Sequence, residues 1–330
     1  MTTNPSKQLW QQALSDVITD PLELLTLLEL DLDLLEDAKR AACTFPLRVT
    51  RSFVSRMQKK NPHDPLLKQV LPLGVECEDQ TGYVRDPLRE CEINPVSGLL
   101  HRYHGRVLVT LTGVCAIHCR YCFRRHFPYA ENNPGRQGWR AIFEYLRANE
   151  TIEEVILSGG DPLCVNDALL QSFSEQLDEV AQVKRLRLHT RLPIVLPERM
   201  TDGLLTWIKQ LKQQCVIVIH ANHAKEIDET VHFALQRLKT TGATLFNQSV
   251  LLKGVNDTAD CLTQLSHALF NAGVLPYYLH VLDKVKGSAH FDIPNETAIT
   301  LHREMSHHLP GYLVPKLVRE VPGAKAKKWL

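Results

Sequence analysis

Residues 106–125 read RVLVTLTGVCAIHCRYCFRR, and the whole chain takes its meaning from them. The first seven, RVLVTLT (106–112), form a short apolar run rich in β-branched residues, the mark of a strand covered on both faces, as in a parallel sheet. Three residues beyond it stands Cys115, followed by Cys119 and Cys122, so the loop leaving the strand carries CxxxCxxC and then the pair Arg124 and Arg125. On a helix the three thiols would share one face, but the residues between them are too polar and basic for a buried helical stripe.

The same rhythm recurs downstream. Strand-like runs at EEVILS (153–158), KRLRLHT (184–190), CVIVIH (215–220), ATLFNQS (243–249) and LPYYLHV (275–281) alternate with amphipathic stretches near 137–149, 167–180, 201–212, 227–240, 257–271 and 297–308. Six such units predict parallel strands joined by helical crossovers. Polar or glycine-rich residues follow nearly every strand: SGGDP (158–162), HTR (189–191), HANH (220–223), NQS (247–249) and LDK (282–284). Spread over many strand ends, they match the C-terminal mouth of a barrel, whereas a doubly wound sheet, the competing architecture, gathers its site at one crevice. A seventh strand-like piece, YLVPKLVRE (312–320), closes or flanks the array, and no complete eighth unit remains. The expected fold is α/β, a partial (βα)6 TIM-type barrel.

Residues 1–100 read as a helical and extended region packed on the barrel, 101–311 as the barrel, and 312–330 as a C-terminal strand and tail. Helices are expected at 6–17, 21–28, 31–40 and 49–58, with Asp20 and Pro21 suited to the cap and first position of the second. The pairs NP, DP, LP and TG mark 61–100 as turns and extended connections.

Charge narrows the function. The 330 residues hold 38 Lys plus Arg against 37 Asp plus Glu, a balance that favours a small-molecule substrate over nucleic acid or an acidic membrane. The start, MTTNPSKQLWQQ, lacks a basic segment followed by an apolar run, and no stretch approaches eighteen apolar residues, so a cytoplasmic protein is expected. Nine dispersed cysteines do not resemble a disulfide scaffold, and Cys215 within CVIVIH reads as core. Nothing in the residues sets an oligomeric state.

Fe–S clusters take thiolates at tight spacings, and a four-iron cluster on three thiolates leaves one iron open for a ligand. A zinc site completed by His118 or a distant residue is the other metal reading. CxxxCxxC in the first strand-to-helix loop of a partial barrel resembles the radical S-adenosylmethionine superfamily, and SGGDP resembles its glycine-rich segment, implying that Ser158, Gly159, Gly160 and Asp161 position the amino group of S-adenosylmethionine. HRYHGRVLVTLTGVCAIHCRYCFRR, RLRLHTRLPIV, FNQSVLLKGVND, PYYLHVLDK and GYLVP further resemble lysine 2,3-aminomutases, from about residue 95 onward.

That resemblance implies a 4Fe-4S cluster on Cys115, Cys119 and Cys122, with S-adenosylmethionine and pyridoxal 5'-phosphate as further cofactors and L-lysine as substrate. It implies an external one-electron reductant, radical chemistry started by cleavage of S-adenosylmethionine, and migration of the lysine amino group from carbon 2 to carbon 3. Lys327 falls on the lysine that carries pyridoxal phosphate, with Lys325 as the neighbouring candidate. The tail departs from the family's usual run of glycines, since Gly323 is followed by Ala324 and Lys325. Arg124 falls on the position for the substrate carboxylate, and Asp283 and Glu320 on those for its side-chain ammonium, Glu320 replacing the family's aspartate. Arg102 and Arg106 fall near the cofactor, while Arg120 supports the cluster loop. His189 and Arg191, with Thr190, and His220 and Asn222, with His223, fall where the family contacts nucleoside or pyridoxal phosphate. Asn247, Gln248 and Ser249 have donors and acceptors suited to such contacts.

HCRYCFRRHFPYAENN and the short tail resemble the branch that makes (R)-β-lysine for an elongation factor P ligase. A glutamate 2,3-aminomutase is the alternative enzyme, disfavoured because Asp283 and Glu320 would repel a side-chain carboxylate. A noncatalytic Fe–S or zinc-binding protein is the alternative class.

Overall fold

The structure is a computed structural model that describes residues 9–132 and 134–330. The first three residues of the helix expected at 6–17, and Asn133 of the branch motif, lie outside the described residues.

Nine strands form one sheet in chain order: β1 (Leu99–Tyr103), β2 (Arg106–Thr112), β3 (Glu154–Gly159), β4 (Arg185–Thr190), β5 (Gln214–His220), β6 (Thr244–Val250), β7 (Leu275–His280), β8 (Lys316–Arg319) and β9 (Lys328–Trp329). Strands β2 to β8 pair in parallel, while β1 and β9 flank them antiparallel. Among the described residues five short α-helices precede the sheet: α1 (Leu9–Ser15), α2 (Pro21–Leu27), α3 (Leu35–Thr44), α4 (Arg51–Val54) and α5 (Pro65–Lys68). Crossovers carry α6 (Gly135–Ala148), α7 (Asp167–Leu177), the single turn α8 (Leu192–Val195), α9 (Asp202–Gln210), α10 (Glu229–Lys239), α11 (Ala259–Asn271) and α12 (Asn295–His308).

The six strand–helix units expected from the sequence are therefore present, and β8 is the seventh parallel strand rather than the start of another unit. Among the described residues the sheet does not close through backbone hydrogen bonds. Side chains bridge its two ends instead: the Tyr103 hydroxyl at the end of β1 donates to Glu320 just after β8, and Arg102 Nη1 lies 3.5 Å from the same carboxylate. Strand β1 was not foreseen, because LLHRY follows a turn-rich stretch and its polar half hides the pattern.

Strand parity sets what faces inward. Because side chains alternate, Arg187 and His189 of β4 point into the barrel while Leu186 and Leu188 pack into the core on the other face. Val216, Val218 and His220 of β5, and Tyr278 and His280 of β7, take the inner face in the same way. The outer face buries against residues such as Phe143 of α6 and Phe173 of α7, whose rings meet at 5.2 Å.

The N-terminal helices share this core and brace the loops at the barrel mouth. Asp20 and Asp64 cap α2 and α5, Asp20 accepting from Leu22 N and Asp64 from Leu66 N at 2.8 Å, each cap worth about 1 kcal/mol. Phe53 of α4 is fully buried, and truncation to alanine would cost about 3–5 kcal/mol. Arg48 Nε donates to Cys115 O at 2.7 Å, and His118 N to Arg48 O at 2.8 Å. The extension thus holds the cysteine loop from outside.

Candidate active site

A cavity of about 670 Å³ opens inside the barrel, lined by residues from Leu88 through Lys327. Cys115, Cys119 and Cys122 line it on the loop after β2, which contains no helix. Behind this loop, buried Glu76 accepts from Arg120 Nη2 at 2.6 Å and Arg125 Nη2 at 2.8 Å. Arg120 also donates to Phe45 O at 2.7 Å, so it fastens the loop's base and is turned away from the cavity. Burial, followed by neighbouring thiols, pushes Cys115 well above the ordinary thiol range, and burial pushes Cys122 up to about 11. Metal binding at these sulfurs would therefore release protons.

His118 does not join the thiols, since its Nδ1 lies 2.8 Å from Pro46 O and its ring stacks on Phe45. Among the described residues no three His, Cys, Asp or Glu side chains converge on a point where a single ion could sit. Three thiolates that each take a different iron need not converge, so the donor set fits a cluster better than a lone zinc.

The glycines of SGGDP serve the fold in a way not anticipated. A Cβ on Gly160 would lie 2.5 Å from Val114 O, and one on Gly159, at φ +107°, would meet Thr112 O at 2.9 Å. The close backbone approach is between this loop and the cysteine loop, reinforced by Gly160 N to Thr112 O and Asp161 N to Val114 O, both 2.8 Å. Asp161 is likewise engaged within the protein: it accepts from Thr190 Oγ1 at 2.7 Å, Arg191 N at 2.6 Å and Leu163 N at 3.0 Å, which ties β3's loop to β4's. Burial still raises its carboxyl to about 6. Ser158 accepts from Arg124 Nη1 at 3.2 Å.

At another part of the wall stands Lys327, immediately before β9. Its ammonium contacts Glu320 and lies 5.4 Å from the centre of the Tyr278 ring. Lys327 lines the cavity, whereas Lys325 is exposed and does not. Burial opposes ionisation of Glu320, but the adjacent Lys327 charge outweighs it and holds the carboxyl below its usual range. Asp283 also lines the cavity, and burial together with the nearby Glu320 charge raises it to about 7. Arg102, Arg106, His189, Arg191, His220, Gln248 and Ser249 line it as well. His220 is depressed to about 3 by burial and then by the charge of Arg191, and burial drives His189 well below the imidazole range. Both rings are neutral at pH 7.

Three expected contacts lie outside the lining: Asn247, Asn222 and His223, whose Nδ1 accepts from Lys225 N at 3.1 Å. Asn247 has the opposite parity to Gln248 on β6, so its amide turns outward, giving Nδ2 to Ala221 O at 3.1 Å and accepting from Ala221 N at 2.8 Å. Asn222 is fully buried beyond β5 and donates to Tyr121 Oη at 2.7 Å and Gln69 Oε1 at 3.0 Å. Both asparagines act on the strand ends rather than on an occupant.

Three residues of the lining each carry a buried polar atom without a protein partner: His189 Nε2, Arg187 Nε and Arg191 Nε.

Comparison with known proteins places this geometry. A family model described as a 4Fe-4S single cluster domain matches residues 104–194. Over 324 residues, 98% of this chain and 94% of the relative, the sequence is 49% identical to the L-lysine 2,3-aminomutase of Escherichia coli (strain K12). The chain belongs to the L-lysine 2,3-aminomutase family. The relative of that name from Haemophilus influenzae is 45% identical over 97% of this chain and 95% of its own length, and that from Clostridium subterminale 36% identical over 88% and 71%.

Several residues of this aminomutase-family cavity escaped the sequence reading. Glu90, in the turn Glu90–Ile93, pairs with Arg124 through Nε at 2.6 Å and Nη2 at 2.8 Å. No periodicity marks a carboxylate in an irregular segment, so nothing in the sequence singled it out. Tyr278 and His280 carried a usable signal, since alternate positions of β7 share one face. Burial, then the Lys327 charge, takes His280 down to about 3.

Proposed function

We infer that the chain is a radical S-adenosylmethionine isomerase, an L-lysine 2,3-aminomutase that converts L-lysine to (R)-β-lysine. The observation that carries this reading is one cavity lined by Cys115, Cys119, Cys122, Lys327, Arg124, Asp283 and Glu320 together, in a chain of this family. When bound, the 4Fe-4S cluster, S-adenosylmethionine and pyridoxal 5'-phosphate supply the one-electron and amine-carrying chemistry that no side chain provides.

The chain's own part is holding, orienting and excluding water. Cys115, Cys119 and Cys122 hold the cluster, and the Ser158–Gly160 loop, packed against them, shapes the adjoining wall. Lys327 is the amine that takes pyridoxal phosphate, with Arg102 and Arg106 among the cations available to its phosphate. Arg124 takes the substrate carboxylate: Glu90 engages its Nε and Nη2 on one side, leaving further N–H groups of the fork. Asp283 and Glu320 receive the side-chain ammonium. Glu320 meets the ammonium of Lys327, so the amine that would hold pyridoxal phosphate and a carboxylate that would receive the substrate ammonium stand side by side.

A glutamate substrate would place a third carboxylate beside Asp283 and Glu320, which disfavours it. The test is product analysis. Anaerobically reconstituted, reduced protein given S-adenosylmethionine, pyridoxal phosphate and L-lysine should yield (R)-β-lysine, resolved by position and chirality. Conversion of glutamate with no β-lysine would reject the substrate.

An external one-electron donor must reduce the cluster. The resemblance of residues 118–133 supports delivery of the product to a ligase acting on elongation factor P. Mass spectrometry of that factor from cells lacking this gene should show the β-lysyl mass missing. All nine cysteines are free thiols, which suits a reducing, cytoplasmic setting. No helix among the described residues is long and apolar enough to cross a membrane.

A further inference from the structure

Behind the cysteine loop lies a buried polar network joining four parts of the chain. Arg191, after β4, gives Nη2 to Gln69 Oε1 at 2.7 Å and to Glu226 Oε2 at 2.9 Å. Its Nη1 lies 2.8 Å from Tyr121 Oη and 2.7 Å from Cys119 Sγ. Its backbone N–H is held by Asp161. The partners are fixed in turn: Glu226 Oε1 accepts from Asn222 N at 2.8 Å, His223 N at 3.1 Å and Gln69 Nε2 at 3.1 Å, and Tyr121 Oη accepts from Asn222 Nδ2.

A buried guanidinium so constrained cannot swing away from the sulfur it faces. Removing a cation from water is costly, and Glu226 offsets that cost on the side remote from the thiol. What reaches Cys119 is a charged N–H donor in a low-dielectric setting. Donors to cluster sulfurs, net charge and solvent exposure are the means by which a protein adjusts an Fe–S reduction potential. Reduction adds one negative charge to the cluster, so a cationic donor on a ligating thiolate stabilises the reduced form and raises the potential.

We propose that Arg191 is a positioning residue that raises the reduction potential of the cluster through Cys119, and that the Gln69–Glu226–Asn222–Tyr121 network exists to hold its guanidinium there. The role differs from the cofactor contact expected of Arg191 from the sequence. It rests on the cluster at Cys115, Cys119 and Cys122 and is independent of which amino acid is isomerised.

The test is an EPR-monitored redox titration of the full chain, reconstituted anaerobically, as wild type, Arg191→Gln and Arg191→Lys, with iron and sulfide measured on each. Arg191→Gln should keep its iron and titrate at a more negative midpoint than wild type. Arg191→Lys, which retains a charge but loses the fork, should fall between them. Should Arg191→Gln fail to assemble, a negative shift in Arg191→Lys alone supports the proposal. Midpoints unchanged in whichever variant assembles overturn it, as does loss of iron in both, which would assign Arg191 to holding the loop. Failure of the wild type to take up a four-iron cluster would instead reject the cluster reading itself.

Discussion

The cysteine loop, residues 113–129, and the tail, residues 320–330, both lack helix and both bring charged side chains to the same cavity, yet they are held differently. Around the loop, buried Glu76 binds Arg120 and Arg125, Arg48 binds Cys115 O, and the Gly160 backbone packs directly on Val114. The tail is held by a two-residue edge strand, pairing Val318 with Trp329 and Arg319 with Lys328, and Trp329 remains 66% exposed. A cluster on three thiolates needs its ligands fixed before metal arrives. The lysine proposed to take pyridoxal phosphate thus sits in the more weakly held of the two regions.

Breaking either region at its chemical centre should have the largest effect. Cys119→Ala should lose its iron and all β-lysine formation; a full iron complement would end the account of the loop. Next comes Lys327→Ala, which should abolish both turnover and the absorbance of bound pyridoxal phosphate, while Lys325→Ala should leave that absorbance in place. Absorbance retained in the first and lost in the second would move the anchor by two residues.

The contrast in rigidity can be sharpened by unfolding. Glu76→Ala strands two buried guanidinium groups and should cost about 3–5 kcal/mol in denaturant titration. Trp329→Ala removes an exposed ring whose contact with Lys316 Nζ, at 5.1 Å, is worth about 0.5–1 kcal/mol, and should lie at the bottom of the series. Comparable losses in the two variants would erase the distinction.

Between these falls a pH effect. Asp283, raised to about 7, is protonated below that pH and anionic above it. Its grip on the substrate ammonium should therefore strengthen as pH rises through 7, with KM for L-lysine falling by up to about tenfold per unit below that point. Asp283→Asn should flatten this limb. For folding the sign is opposite to that of a salt-bridged carboxylate: a raised value means stability present at low pH and lost as pH climbs from 3.8 through about 7. Asp283→Asn should accordingly unfold later than wild type at pH 8, and an earlier midpoint would show that Asp283 is paired rather than desolvated.

What could be read without coordinates was everything local. Apolar runs of strand length, helical periodicity between them and thiols at close spacing along one loop are properties of neighbouring residues, so the six strand–helix units and the cysteine motif were legible. Parity within β6 could also have been read, and would have put Gln248 inside and Asn247 outside. Folding alone settled what depends on residues far apart in the chain. Glu90 meets Arg124, Tyr103 meets Glu320 across the gap of the open barrel, and Gln69, Tyr121, Arg191 and Glu226 come together behind one sulfur. Hydrogen bonds and buried charges of this kind are satisfied by whichever partner the packed core brings near, and one-dimensional spacing carries no record of that choice.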